Sequence, residues 1–113
     1  MKILVCGSRH FNDYELLERI LNEYEISDII HGDARGADRL AGQYGNKNEI
    51  PVHVFPAQWD LYGKGAGHIR NGQMLREGTP ELVIAFRGPN SRGTQNMIDQ
   101  ATKAGVETRI IEI

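Results

Sequence analysis

Leu82-Val83-Ile84-Ala85-Phe86-Arg87-Gly88-Pro89-Asn90-Ser91-Arg92-Gly93-Thr94 joins five consecutive apolar residues to a loop of turn formers and then to a helical start. An apolar run without alternation is the pattern of a strand buried on both faces, as in a parallel sheet covered by helices. Behind it, Met97, Ile98 and Ala101 recur at helical spacing until Gly105, which predicts a helix over roughly Gly93–Ala104. The segment is therefore one βα unit with its strand at the centre of a sheet.

The same unit repeats along the chain. Ile3-Leu4-Val5-Cys6 is a second continuous apolar run, so the first strand, Lys2–Cys6, is also central. A helix over roughly Asp13–Glu25 follows, with Leu17, Ile20, Leu21 and Tyr24 on one face and an Asn12/Glu15 pair resembling a capping box. Asp28–His31 reads as a short strand. Gly36–Lys47 reads as a helix with Ala37, Leu40, Ala41 and Tyr44 inward. Pro51–Phe55 is a third strand, ended by Pro56. A Gly-rich connection leads to a helix over roughly Gly67–Arg76 with a weak apolar face. Glu81–Phe86 and Glu107–Ile111 complete the strands. Strands separated by helices imply right-handed crossovers. The expected fold is α/β, a Rossmann-like three-layer sandwich with a mainly parallel five-stranded sheet of order 3-2-1-4-5.

The 113 residues suit one domain, 1–113. A chain of this size folds without a disulfide or metal, and the one cysteine, Cys6, reads as a buried, inert thiol. With no His-x-His or His-x-x-x-His spacing, neither a metal site nor a cofactor is predicted. No stretch reaches the ~18 apolar residues of a membrane span, and the first apolar run is too short for a signal peptide. The expected location is cytoplasmic. Thirteen basic against 15 acidic residues leave a net charge of −2, which argues against a broad nucleic-acid surface.

Six of those 13 cations (Arg9, Arg35, Lys64, Arg70, Arg87 and Arg92) fall in or beside the loops after the first four strands. A parallel sheet brings those loops to one end, where open α/β sheets bind ligands. Glycine allows close backbone approach, helix N-termini offer free N–H groups to anions, and arginine grips phosphate bidentately. Arg9, Arg35, Arg70 and Arg92 are the phosphate candidates, with Lys64 beside them. Gly7, Ser8, Gly32, Gly36, Gly67, Gly93 and Thr94 are expected to shape the cradle, and Asp38 and Asn71 to contact ligand or brace the loops. Arg87 reads as a solvated charge. Trp59 and Tyr62 either stack on a base or pin the long connection over the core. No Gly-x-Gly-x-x-Gly fingerprint or P-loop is present, and no Ser–His–Asp or Cys–His arrangement identifies a catalytic residue.

Five motifs taken together carry a resemblance. They are Gly7-Ser8-Arg9-x-Phe11-x-Asp13, His31-Gly32-x-x-x-Gly36-Ala37-Asp38, Phe55-Pro56-Ala57-x-Trp59, Gly63-Lys64-x-Ala66-Gly67-x-x-Arg70-Asn71-x-x-Met74 and Phe86-x-Gly88-x-x-x-x-Gly93-Thr94. The set resembles the YspA-type, cpYpsA-related branch of the SLOG superfamily, which includes the DprA proteins and the Lonely Guy phosphoribohydrolases. The resemblance spans about Lys2 to Val106. It implies a Rossmann-like sheet and a site for nucleotides or nucleotide-derived ligands, and some relatives act as sensors. The Lonely Guy hallmark resembles Pro-Gly-Gly-x-Gly-Thr-x-x-Glu. Here Gly93-Thr94 match, the double glycine is altered, and Met97 stands at the glutamate's position. A thioether takes no proton. The expectation is therefore a module that senses or sequesters a nucleotide-type ligand. The alternatives are a nucleoside-monophosphate N-glycosidase, with Asp33, Asp38 or Asp60 replacing the glutamate, and a DprA-like single-stranded DNA binder. A sensor's output would pass through another protein or through self-association.

Overall fold

The computed structural model describes residues 1–113. Strands β1 (Lys2–Gly7), β2 (Asp28–His31), β3 (Val52–Val54), β4 (Leu82–Arg87) and β5 (Glu107–Glu112) form one sheet of order β3-β2-β1-β4-β5. Every pairing is parallel. The predicted α/β architecture and strand order are those observed. β1 and β4, the two continuous apolar runs, pair side by side from Ile3↔Leu82 to Gly7↔Phe86.

Period-2 alternation along these strands divides the core into two layers. Ile3, Val5, Ile29, Ile84 and Phe86 face Leu17, Ile20 and Leu21 of α1 (Tyr14–Leu21) and Ala37, Ala41 and Tyr44 of α2 (Ala37–Lys47). Leu4, Cys6, Ile30, Val83 and Ala85 face Met74 of α4 (Ala66–Gly78) and Met97, Ile98 and Ala101 of α5 (Arg92–Lys103). Phe11, in the loop after β1, stacks on Phe86 with ring centroids 4.7 Å apart. That contact ties the loop to the centre of the sheet.

The structure corrects three local expectations. The cap of α1 is Asp13 rather than Asn12: its carboxylate accepts the Leu16 N–H at 3.1 Å. The helix ends at Leu21, not Glu25, because Glu23 and Tyr24 donate to carbonyls three residues back and tighten the chain into a turn. Tyr24 is thereby placed against β5, where its hydroxyl accepts from Arg109 at 2.9 Å. Finally, the expected loop from Pro56 to Ala66 is helical over much of its length. A short helix, α3 (Trp59–Tyr62), passes through a 3-10 turn at Gly63–Gly65 into α4. β3 is only three residues long, and Pro51 and Pro56 flank it, an arrangement that blunts an edge strand.

Candidate functional site

The C-terminal ends of β1 and β4 and the starts of α2, α4 and α5 enclose a cleft of about 520 Å³. Ten of the 15 residues expected at a site line it: Gly7, Ser8, Arg9, Asp38, Trp59, Arg70, Asn71, Arg92, Gly93 and Thr94. Gly32, Arg35, Gly36, Lys64 and Gly67 do not. Arg35 is exposed on the turn before α2, and Lys64 is exposed on the 3-10 turn. The three glycines support the lining from behind. Gly36 has φ +83, and a Cβ there would collide with the Ser8 carbonyl. A Cβ at Gly32 would strike the Arg70 guanidinium, and one at Gly67 would touch the Trp59 ring at 3.5 Å.

Gly7 lines the cleft and also serves packing, since a Cβ on it would lie 2.6 Å from the Phe86 carbonyl oxygen and 2.8 Å from the Ala37 Cβ. The close approach lets the Ser8 N–H donate to the Phe86 carbonyl at 2.9 Å and the Ala37 N–H donate to the Ser8 carbonyl at 3.3 Å. Three chain segments are thereby joined at the cleft floor.

The β4–α5 side offers free donors. The Gly93 and Thr94 N–H groups in the first turn of α5 have no hydrogen-bond partner in the protein, as the geometry of a helix start dictates. A Cβ on Gly93 would meet nothing within 4 Å, so this turn is open. The Ser91 hydroxyl accepts from the Gly88 N–H at 3.1 Å, and the Ser8 hydroxyl accepts from the His10 N–H at 3.1 Å. Each keeps its own proton to donate. Arg9 and Arg92 are exposed and form no ion pair.

Arg70 is held more tightly. Its guanidinium donates to the Gly32 carbonyl at 2.5 Å and to the Asn71 side-chain oxygen at 3.1 Å. The Asn71 amide in turn donates to the Gly93 carbonyl at 3.2 Å and to the Asn96 side-chain oxygen at 3.1 Å. Asn71 therefore couples α4 to the open turn of α5.

Asp38 is almost fully buried, at 4% exposure. Its Oδ2 accepts the Gly32 N–H at 2.9 Å and the Ala34 N–H at 3.3 Å. Burial pushes the carboxyl up to about 6, against the opposing pull of Arg70 and the two backbone donors. Burial and the nearby Asp38 charge hold the Cys6 thiol well above its ordinary range, so Cys6 is an inert wall, as its sequence context suggested. His31, also buried, accepts the Asp33 N–H at Nδ1, and burial lowers its pKa. The neutral ring braces the β2–α2 loop.

Other residues singled out in the sequence take different places. Asp33 pairs with Arg39, and Asp60 is exposed outside the cleft. Met97 is fully buried in the core and lines no part of the cleft. Arg87 is not a free solvated charge: it pairs with Glu112 and donates to Gln95. Trp59 is 58% exposed and Tyr62 46% exposed, so neither pins its segment into the core. The cleft also includes Cys6, His10, Ala34, Met74, Pro89, Asn90 and Ser91. Cys6 ends an apolar strand, and Met74 lies one helical turn beyond Arg70 and Asn71 on the same face, signals that strand direction and helical period supply. His10 and Ala34 lie in the loops after β1 and β2, which strand direction brings to the same end, but nothing in their residue type sets them apart from their neighbours.

Gene 61 protein of Mycobacterium phage D29 is 32% identical over 115 aligned residues, covering 93% of this chain and 91% of the phage protein. No solved structure matches the chain. Residues 1–62, which run from β1 through α3 and carry Ser8, Arg9, Asp38 and Trp59, match the model of one family. The chain belongs to the YspA, cpYpsA-related SLOG family.

Proposed function

We propose that this chain binds a nucleotide or nucleotide-derived phosphate ligand in the cleft, and senses or sequesters it without turning it over. The observation that carries the reading is the β4–α5 side of the cleft. Two unpartnered N–H groups at a helix start, the hydroxyls of Ser91 and Thr94 and the free guanidinium of Arg92 all adjoin the same opening, with the Ser8 hydroxyl across from them on the β1 side. Helix starts and arginines favour phosphate for separate reasons, one through the dipole and free donors and the other through bidentate geometry. Membership of a SLOG family suggests a nucleotide-related function. Trp59 offers an exposed aromatic face on which a base could stack.

Two rival activities fit less well. The glycosidase reading lacks the hallmark carboxylate, since Met97 is sealed in the core; of the aspartates that could replace it, Asp33 pairs with Arg39, Asp60 lies outside the cleft, and Asp38 lines it with one oxygen already held by two N–H groups. The single-stranded DNA reading needs a basic stripe beyond the cleft. The chain carries a net charge of −2, and of its ten cations outside the cleft Arg39, Lys47, Arg87 and Arg109 are each paired with a carboxylate. A sensor of this kind would pass its output through another protein or through self-association.

Calorimetric titration with nucleoside mono- and diphosphates tests the reading. Replacing Arg92 with alanine should weaken binding by about 1.5–3 kcal/mol, the scale of a hydrogen bond to a charged group. Trp59 emission should change during the same titration. Unaltered affinity in a folded Arg92→Ala variant would remove the phosphate from this end of the cleft. Steady release of free base from AMP at about 1 s⁻¹ or faster, an ordinary enzymatic rate, would contradict binding without turnover.

A further inference from the structure

A buried carboxylate lining a cleft otherwise built for an anion is an electrostatic contradiction unless the ligand brings hydrogen-bond donors to it. Asp38 is such a group. Its Oδ2 is engaged by the Gly32 and Ala34 N–H groups, whereas Oδ1 has no partner in the protein. Oδ1 is not sealed away either, since the only fully enclosed side-chain polar atom without a partner is the Tyr14 hydroxyl. Asp38 is 4% exposed and belongs to the cleft lining, so the little surface it retains is open to whatever enters the cleft.

A continuous chain of hydrogen bonds links this acceptor to the helix start opposite. The Gly32 N–H donates to Asp38, and the Gly32 carbonyl accepts from Arg70. Arg70 donates to Asn71, which donates to the Gly93 carbonyl in the first turn of α5. The acceptor and the anion-binding turn are thus held in fixed relation across the cleft floor. A ligand that fills both must carry a negative group at one end and neutral donors at the other. A carboxylate and a phosphate repel each other when adjacent, so the part of the ligand facing Asp38 cannot be a second phosphate.

From this pairing we infer that Asp38 is a specificity residue: through Oδ1 it accepts hydrogen bonds from the ribose hydroxyls of a bound nucleotide, making the cleft selective for ribonucleotides over their deoxy counterparts. The inference rests on the proposed function and deepens it. In a nucleotide the sugar lies between phosphate and base. With the phosphate at Gly93 and Thr94, the sugar is the neutral, donor-bearing part that follows. One free carboxylate oxygen can accept from both hydroxyls of a vicinal diol. A site built to bond a hydroxyl discriminates strongly against the analogue lacking it, because its own buried polar atom is left unpaired. The full ionic charge of Asp38 strengthens each bond. Burial favours the protonated carboxyl, so ligand donors that favour the ionised form also relieve a cost already present in the free protein.

The test uses calorimetry on the full chain with AMP, 2′-deoxy-AMP, 3′-deoxy-AMP and inorganic pyrophosphate, for the native protein and for Asp38→Asn. Asparagine is isosteric: its carbonyl still accepts the Gly32 and Ala34 N–H groups, while its amide turns the cleft-facing acceptor into a donor. The native protein should bind AMP about tenfold or more tightly than the deoxy analogues. Asp38→Asn should reduce that ratio severalfold, because a neutral amide donating to a hydroxyl is weaker than a carboxylate accepting from it, while leaving pyrophosphate binding intact or stronger, since a negative charge is removed. Thermal melting checks that the variant is folded. Should it fail to fold, the native ratios among the four compounds decide alone. Equal affinity for ribo- and deoxyribonucleotides, or a ratio undiminished in Asp38→Asn, overturns the inference and leaves the phosphate site standing. Failure of all four compounds to bind removes the proposed function and the inference together.

Discussion

Replacing Gly36 with alanine tests whether the β1 and β2 loops are truly interlocked. Gly36 has φ +83 and ψ −127, a combination that strains any residue with a Cβ, at a cost of about 1–3 kcal/mol. The new methyl would also collide with the Ser8 carbonyl and lie 2.7–2.8 Å from the Arg9 backbone. Those atoms are backbone, so they yield only if the loop moves, and overpacking of this kind costs about 1–3 kcal/mol more. We predict a total loss of about 2–6 kcal/mol, a large share of the ~5–15 kcal/mol by which domains are stable. Gly105 supplies the control. It also has positive φ, +75, but a Cβ there meets nothing within 4 Å. It lies past the end of α5, with the Val106 N–H donating back to the Ala101 carbonyl at 2.9 Å. Gly105→Ala should therefore cost only about 1 kcal/mol. Urea unfolding of the two variants, with unchanged m-values, measures the difference. Equal losses would mean that the Ser8 contact contributes nothing and that only local backbone strain matters. The displaced Ser8–Arg9 loop should also weaken nucleotide binding in Gly36→Ala and not in Gly105→Ala.

Three further predictions concern buried groups. Burial raises the Asp38 carboxyl to about 6, so between about pH 4 and 6 the folded state binds more proton than the unfolded state, whose carboxyl titrates near 3.9, and stability falls as pH rises. The stability of the native chain relative to Asp38→Asn should thus fall by up to about 3 kcal/mol from pH 4 to 7, and a flat difference would contradict the burial of this carboxyl. Tyr14→Phe removes the enclosed hydroxyl that has no partner; urea midpoints should show stability unchanged or raised by up to ~1 kcal/mol, and a loss above that would reveal a partner for the hydroxyl. Met97→Glu should yield no glycosidase and should cost at least ~3 kcal/mol, because it buries an unpaired carboxylate among Leu4, Cys6 and Ile98; free-base release from AMP by a stably folded variant would show that position 97 reaches the cleft.

The architecture was legible in the chain because hydrophobic patterning acts locally. The unbroken apolar runs Ile3–Cys6 and Leu82–Phe86 mark central strands wherever they occur, and parallel connection then sends the Gly- and Arg-rich loops to one end. Most of the cleft lining followed from that rule alone. Tertiary structure decided which loop residues face inward, because contacts distant in sequence set those orientations. Lys64 and Arg35 resemble Arg70 and Arg92 as sequence, yet both are exposed and neither lines the cleft. Arg70 is turned inward by the Gly32 carbonyl, 38 residues away. The hallmark position filled by Met97 is core because the register of α5 turns it onto β4 and β1. Asp38 is singled out in the sequence as a ligand contact or a loop brace, but that its carboxylate does the bracing through one oxygen and leaves the second free is decided by burial and by two N–H groups. Patterning specifies faces and directions, whereas the partner of each polar atom is settled only when the loops pack against one another.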